Sequence, residues 1–273
     1  MTARLDLPVA SDGRDALELA DAVVREAGAL VREAARGTHA ITNFKGRNNV
    51  VTATDRASEA LIIERVLAAF PGHRVLAEES YPNTDWREGA VWVIDPIDGT
   101  RNFAAGIPLY CVNLALAIDG EVVLGATYDP NRDTCFLGAP GRGLTVNGEP
   151  AHASRATELA SCIVGTDLGY DDARAVKQLE LLPGLWGDVQ GLRIIASAAL
   201  GLAWSAAGLL DVFAHSHLYP WDIGAALALV PAAGGRITDR DGQPATLGSE
   251  SVVAGGSAAV EAFLRRVEGV AWR

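Results

Sequence analysis

Residues 91–103 read VWVIDPIDGTRNF. Four apolar residues, Val91 to Ile94, run straight into Asp95, and Asp98 follows after only Pro96 and Ile97. A short apolar run rich in Val and Ile, bounded by Pro and Gly, predicts a buried strand over Ala90 to Ile94. Two carboxylates at the end of a buried strand are costly unless something compensates their charge. The plainer alternative is a turn, because Asp-Pro and Asp-Gly are both good turn formers.

Upstream, Asp15 and Glu18 form a capping-box pattern, and Leu17, Ala20, Val24, Ala27 and Val31 recur at helical spacing until Gly37. A second helix is predicted from about Thr54 to Phe70, stopped by Pro71-Gly72, with a loop over NFKGRNNVVTATD (Asn43 to Asp55) between the two. Short strands follow over Arg74 to Ala77, Cys111 to Ile118 and Glu121 to Tyr128, the last two joined by the turn dipeptide Asp119-Gly120. Asn147-Gly148 is a further hairpin signal. Strands after two helices indicate an α+β half, residues 1–155.

Residues 156–273 alternate instead. Strands are predicted at Cys162 to Val164, Leu192 to Ile195, Val212 to His215, Arg236 to Thr238 and Ser251 to Ala254. Helices are predicted at about Asp171 to Leu182, at about Ser197 to Gly208, from Trp221 to Gly234-Gly235, and from Ser257. This is the pattern of an α/β half, so the fold class is mixed α/β.

Composition bounds the function. The chain has 273 residues, 49% hydrophobic and 21% charged, and carries a formal net charge of −11. That field does not attract nucleic acid or anionic lipid, so neither is an expected partner, and an anionic substrate needs a local reversal of sign. Bound cations held by acidic residues would supply it. Cys111, Cys135 and Cys162 are odd in number and lack C-x-x-C spacing, which argues against a disulfide framework or a zinc site and fits a reducing cytoplasm. The opening residues do not form a signal peptide. The longest uncharged run, Ile194 to Leu210, is 17 residues of mostly Ala, Gly and Ser, read as a strand end plus helix and not as a membrane span.

Asp222 falls in the first turn of its helix, where it could simply complement the helix dipole, and Glu78-Glu79 after RVLA could be a solvated loop. Yet each of these acids, like Asp95 and Asp98, stands at the end of an apolar strand or the start of an apolar helix. That coincidence favours one shared metal site. Carboxylates without His or Cys partners make a hard oxygen site that selects Mg²⁺ or Mn²⁺ over zinc. Two ions roughly 3.5–4 Å apart suit an in-line phosphoryl displacement. Gly99 would let the backbone approach a phosphate, and a helix beginning near Thr100 would turn its first N–H groups toward it.

Four segments carry a resemblance. DPIDGTRNF (Asp95 to Phe103), EES (Glu78 to Ser80), VTATD (Val51 to Asp55) and WDIGAALALVPAAGG (Trp221 to Gly235) resemble, in order and spacing, the motifs of the inositol monophosphatase family of lithium-sensitive, magnesium-dependent phosphatases. The likeness runs from about Asp15 to the C-terminus. It implies a layered α-β-α-β-α sandwich, a homodimer, inhibition by lithium and two or three Mg²⁺ per site. The first ion would be held by Glu78, Asp95 and the Ile97 carbonyl, the second by Asp95, Asp98 and Asp222, and a third, weaker one by Glu78 with Glu79 nearby. Thr100, oriented by Asp55, would help an attacking water lose its proton. Phosphate and metals would lie against Glu78, Ile97, Asp98, Gly99, Thr100 and Asp222.

The alcohol side of the substrate would meet Ala196, Ser197, Ala198 and His215. Here the chain departs from the family, which has Gly-Thr-Ala at the first three positions and a glutamate where His215 stands, seven residues before Asp222. A carboxylate accepts hydrogen bonds from two hydroxyls, whereas neutral imidazole offers one acceptor and one donor. Two readings of His215 and His217 stay open: substrate contact, or an exposed strand-to-helix loop. Arg193 is equally open between a substrate group and a structural ion pair. Inositol 1-phosphate is the first expected substrate, with histidinol phosphate, fructose 1,6-bisphosphate and adenosine 3′,5′-bisphosphate as alternatives. A reading of another class is a partner-binding regulator of the transcription machinery, because some bacterial members that this chain resembles act there.

Overall fold

The computed structural model describes residues 7–37, 41–46, 49–270 and 272. Helix α1 (Ala16–Ala34) opens on the expected capping box: the Asp15 carboxylate accepts from the Leu17 and Glu18 amides, and Glu18 accepts from the Asp15 amide. Strands β1 (Ile41–Gly46) and β2 (Asn49–Thr52) pair antiparallel. Helix α2 (Ala53–Ala69) follows with a second capping box, between Thr52 and Asp55.

Next come β3 (Arg74–Ala77), β4 (Ala90–Asp98), the short helix α3 (Thr100–Ala105), β5 (Cys111–Ile118), β6 (Glu121–Asp129), β7 (Thr134–Ala139), β8 (Gly143–Val146) and β9 (Glu149–Ala151). The seven strands β3 to β9 form one sheet in sequence order. Its first pair is parallel and the rest is an antiparallel meander. The chain continues through β10 (Ile163–Thr166), α4 (Asp172–Leu185), β11 (Gly191–Ile194), α5 (Ala198–Ala206), β12 (Val212–His215), α6 (Pro220–Ile223), α7 (Ala226–Ala232), β13 (Arg236–Thr238), β14 (Val252–Gly255) and α8 (Ser257–Arg266). The second sheet has the order β11-β10-β12-β14-β13.

Among the described residues four apolar clusters are buried, and three of them join the five layers. The first joins α1 and α2 to one face of the large sheet, through Val23, Val24, Ile62, Val66, Trp92 and Ile94. Each fully buried Val, Ile or Leu contributes about 1.5–3 kcal/mol. The second core lies between the sheets, where α5 and α7 bury Leu200, Leu202, Leu229 and Val230 against Phe136 on one side and Phe213 on the other. The third packs Leu181 and Leu185 of α4 and Val260 and Phe263 of α8 on the outer face of the small sheet. The order is α-β-α-β-α. On β4 the alternation is strict: Trp92 and Ile94 face the first core, while Val91 and Val93 face Trp221 and Leu247. Close packing of the middle layer needs Gly125, because a Cβ there would stand 2.3 Å from the Ala225 carbonyl oxygen.

The structure corrects the sequence reading in four places. The loop expected over Asn43 to Asp55 is the β1/β2 ribbon and the start of α2; Arg47 and Asn48 lie outside the described residues. The strand expected to stop at Ile94 continues to Asp98. Strand β7 was not anticipated, whereas the hairpin signalled by Asn147-Gly148 is β8 and β9. The helix expected from Trp221 to Gly234 is divided at Gly224-Ala225, where Gly224 lies against the Pro220 carbonyl, Val93 and Ala115. Among the described residues no helix is long and apolar enough to cross a membrane, and Ile194 to Leu210 is a strand end followed by α5.

Candidate active site

Residues three apart on a regular strand point to opposite faces. Asp95 pairs with Asn113 and Asp98 with Cys111, so β4 spends three residues where β5 spends two. That one-residue bulge at Pro96-Ile97 returns Asp98 to the face of Asp95. Pro96 has no N–H to give the ladder. The bulge is tied down by Ser58 of α2, whose hydroxyl donates to the Pro96 carbonyl at 3.0 Å, and by the Ile97 amide, which donates to Asp95 Oδ1 at 3.0 Å.

Asp222 reaches the same place from α6. Its Oδ2 accepts from the Tyr219 amide at 2.8 Å. The seat of α6 is polar: Asn113 of β5 donates to the Trp221 carbonyl at 2.8 Å and accepts from the Thr127 hydroxyl at 2.6 Å. Asp98 is held by the start of α5, accepting from the Ser197 hydroxyl and from the Ala198 and Ala199 amides at 3.2 and 3.1 Å. Ligand oxygens of Asp95, Asp98 and Asp222 lie within 4.8 Å of one another. Glu78 stands outside that trio but beside it, because β3 is in parallel register with β4 and the Glu78 amide donates to the Ile94 carbonyl at 3.3 Å.

Among the described residues no lysine or arginine hydrogen-bonds any of the three aspartates. Burial, and then the charges of Glu78, Asp98 and Asp222, push the Asp95 carboxyl well above the usual carboxylate range. Burial and Asp98 do the same to Asp222, and burial raises Asp98 against the pull of its hydrogen bonds. Three crowded buried carboxyls made only of oxygen donors fit a hard divalent cation, which would hold them ionised.

A second pair adjoins the trio. Thr100 Oγ1 lies 3.1 Å from Asp55 Oδ1 and 2.9 Å from the Ile97 carbonyl, so its single proton has two acceptors. Asp55 also accepts from the Thr52 amide at 2.7 Å and hydroxyl at 2.5 Å. Burial nonetheless raises its carboxyl to about 6, with the nearby charge of Glu79 adding to the rise. The Glu79 amide donates to Glu59 at 2.8 Å. Gly99, at φ +89°, turns the chain into α3; a Cβ there would meet the Leu109 carbonyl at 2.9 Å.

A cleft with about 390 Å³ of empty space opens beside Asp98 and Asp222. Gly99, Ala196, Ser197, Ala198 and His215 line it, which brings the expected alcohol-side residues together with the carboxylates. The amides of this segment are already engaged: Ile195, Ala196 and Ser197 donate to Asp167, and Ala198 donates to Asp98. His215 is a buried strand residue, not part of an exposed loop. Arg193 is exposed, donates to the Leu192 carbonyl, and lines a different, apolar pocket.

Four residues of this region were not singled out in the sequence. Asp167 sits under the Ile195 to Ser197 amides, with burial raising its carboxyl to about 7. Arg101 places its guanidinium 5.4 Å from the Tyr170 ring centre, and both line the cleft. Burial, and then the charges of Glu78 and Asp222, push the Tyr170 phenol up. Asn113 reads as an ordinary strand residue. A polar residue inside the apolar run Cys111 to Ile118 was the one available signal for it.

The chain is a layered α-β-α-β-α sandwich with a cluster of three carboxylates beside its cleft. More narrowly, the chain belongs to the inositol monophosphatase family, whose profile matches residues 13–270. An inositol monophosphatase of Dictyostelium discoideum is 35% identical over 246 residues, covering 88% of this chain and 90% of that protein. Nus factor SuhB of Escherichia coli (strain K12) is 34% identical over 250 residues, 91% of this chain and 94% of that one. The solved structure of the extragenic suppressor protein suhB from Bartonella henselae matches with a TM-score of 0.86 at 27% identity, covering 93% and 98% of the two chains.

Proposed function

We propose that the protein is a Mg²⁺-dependent phosphomonoesterase acting on a small phosphorylated polyol or sugar, with inositol 1-phosphate as its reference substrate. The observation that carries this reading is the trio of Asp95, Asp98 and Asp222, buried, mutually repelling and free of any basic partner among the described residues. Glu78, Asp95, the Ile97 carbonyl, Asp98 and Asp222 would hold two or three Mg²⁺, with Asp95 shared. Bound there, Mg²⁺ would neutralise the dianion of a phosphate monoester and lower the pKa of a coordinated water.

The chain's own residues do the rest. Asp55, when ionised, takes the Thr100 proton, which frees the Thr100 oxygen to accept one from the attacking water. Glu79 assists by its charge near Asp55. Gly99 lets the backbone come close to the phosphate. The cleft wall at Ala196, Ser197, Ala198 and His215 receives the alcohol. On this reading residues 1–155 carry most cation ligands, while residues 156–273 bring Asp222 and the alcohol-binding wall. A cytoplasmic homodimer belongs to the same reading.

The test is phosphate release with Mg²⁺ from a panel of inositol, histidinol, fructose and nucleotide phosphates, compared by kcat/KM. Release from a polyol or sugar phosphate is expected; no release from any compound would contradict the proposal. A second reading, a regulator that binds the transcription machinery, is favoured by the likeness to Nus factor SuhB. If it holds, Asp95→Asn will fail to reproduce a deletion phenotype, because partner binding survives loss of catalysis.

A further inference from the structure

His215 ends β12 with only 2% of its surface exposed, yet its ring lines the cleft. One hydrogen bond fixes its tautomer. The His217 amide donates to His215 Nδ1 at 3.0 Å, so Nδ1 carries a lone pair and the ring proton sits on Nε2. His217 is fixed in the same way. Arg174 Nη1, a nitrogen that can only donate, lies 3.0 Å from His217 Nδ1. Arg174 is itself anchored by Glu250 at 2.7 Å and by the Ser216 carbonyl at 3.2 Å.

Both Nε2–H groups are without a hydrogen-bond acceptor among the described residues, and both rings line the cleft. Burial lowers both imidazoles, His215 to about 3, so they face the cleft as neutral donors. The acceptors on this wall are largely spent. Asp167 accepts three backbone amides, and Asp98 accepts the Ser197 hydroxyl and two amides. Arg101 adds further donors. Around the two rings the wall is therefore rich in donors, and the free carboxylate oxygen of the cleft is that of Asp222, a residue the cations would engage.

We propose that His215 and His217 are specificity determinants for the alcohol part of the substrate, selecting phosphate monoesters that present a hydrogen-bond acceptor there, a carbonyl or ring-ether oxygen. This deepens the phosphomonoesterase reading, rests on it, and ranks inositol 1-phosphate, whose ring presents only hydroxyls, below carbonyl and ring-ether esters. A carbonyl oxygen satisfies a buried N–H completely, whereas a hydroxyl brings a proton of its own, and Asp98 and Asp167 are already engaged by other donors. A glutamate at position 215 would reverse the preference, because a carboxylate pairs with a hydroxyl and faces a carbonyl with two like acceptors.

Dihydroxyacetone phosphate and glycerol 3-phosphate share a skeleton and a charge and differ in carbonyl against hydroxyl. Both kcat/KM and the calorimetric Kd are to be measured for the two compounds with Mg²⁺, on the parent, His215→Gln and His215→Glu. The parent is expected to prefer the carbonyl compound. His215→Gln keeps that preference, since its amide oxygen can accept from His217 N–H while its NH₂ still donates. In His215→Glu the carbonyl-to-hydroxyl ratio falls about tenfold or more, because an unmatched buried polar group is costly. Equal ratios in the parent and His215→Glu, with phosphate still released, would overturn the inference and leave the phosphatase reading standing. A parent that prefers glycerol 3-phosphate would overturn it without any variant. No phosphate release from either compound would remove the phosphatase reading and the inference with it, whatever the binding preference.

Discussion

Asp95 and Asp98 share one face of β4 although they lie three positions apart, because the Pro96-Ile97 bulge gives that strand one residue more than its partner. The bulge turns a strand end into a ligand cluster, and the hydroxyl of Ser58 holds it from α2.

Thr100 and Asp55 should behave as a unit. Thr100→Ala is expected to lower kcat about a hundredfold, within the usual range for general-base assistance, while Thr100→Ser retains most of it. Asp55 must be ionised to take the Thr100 proton, and burial raises its carboxyl to about 6. Activity should therefore fall as pH drops through about 6. A pH profile of kcat/KM, flat from pH 5 to 8, would remove Asp55 from the mechanism.

Asp167 couples stability to pH. Its buried carboxyl is raised from 3.8 to about 7, so the folded protein binds that proton more tightly than the unfolded chain does. The resulting stabilisation is complete below about pH 4 and is lost as pH rises to about 7. In metal-free protein, Asp167→Asn should flatten the Tm profile across that window relative to the parent. Parallel profiles for the two proteins would count against this assignment.

Asn113 seats α6 and thereby Asp222. Asn113→Ala strands the Trp221 carbonyl and the Thr127 hydroxyl, a loss of about 1–3 kcal/mol. Chemical denaturation should show that loss, and Mg²⁺ affinity should drop with it. Unchanged affinity would mean that Asp222 finds its position without Asn113.

Ala196 has φ +60°, in the left-handed region that disfavours any residue with a Cβ. Ala196→Gly should raise stability by about 0.5–1 kcal/mol, read from the denaturant midpoint. A lower midpoint would show that the Ala196 side chain contributes packing that outweighs the backbone strain.

The apolar run Val91 to Ile94, the capping boxes and the Asp119-Gly120 turn were legible because each is encoded within a few residues. The continuation of β4 to Asp98 was not, since Pro96 removes a donor and mimics a strand end, while the bulge depends on pairing with β5. The β1/β2 ribbon is polar and lacks a clean alternation to read. Acidic candidates could be picked out by their place at the ends of apolar segments. Asp167 has that context too, directly after β10, and was passed over; Arg101 and Tyr170 lack it and meet only when the two sheets are assembled. His215 offered a residue type but not a tautomer, which is set by the His217 amide two positions on.

The central claim is that the aspartate trio binds a divalent cation needed for phosphate release. Its most direct test is release from inositol 1-phosphate after chelation and during titration with Mg²⁺, for the parent and Asp95→Asn. The expected result is no release from the chelated parent, recovery with Mg²⁺, and a loss of at least about a hundredfold in a folded Asp95→Asn variant. Release that persists under chelation, or near-normal turnover by Asp95→Asn, would contradict it.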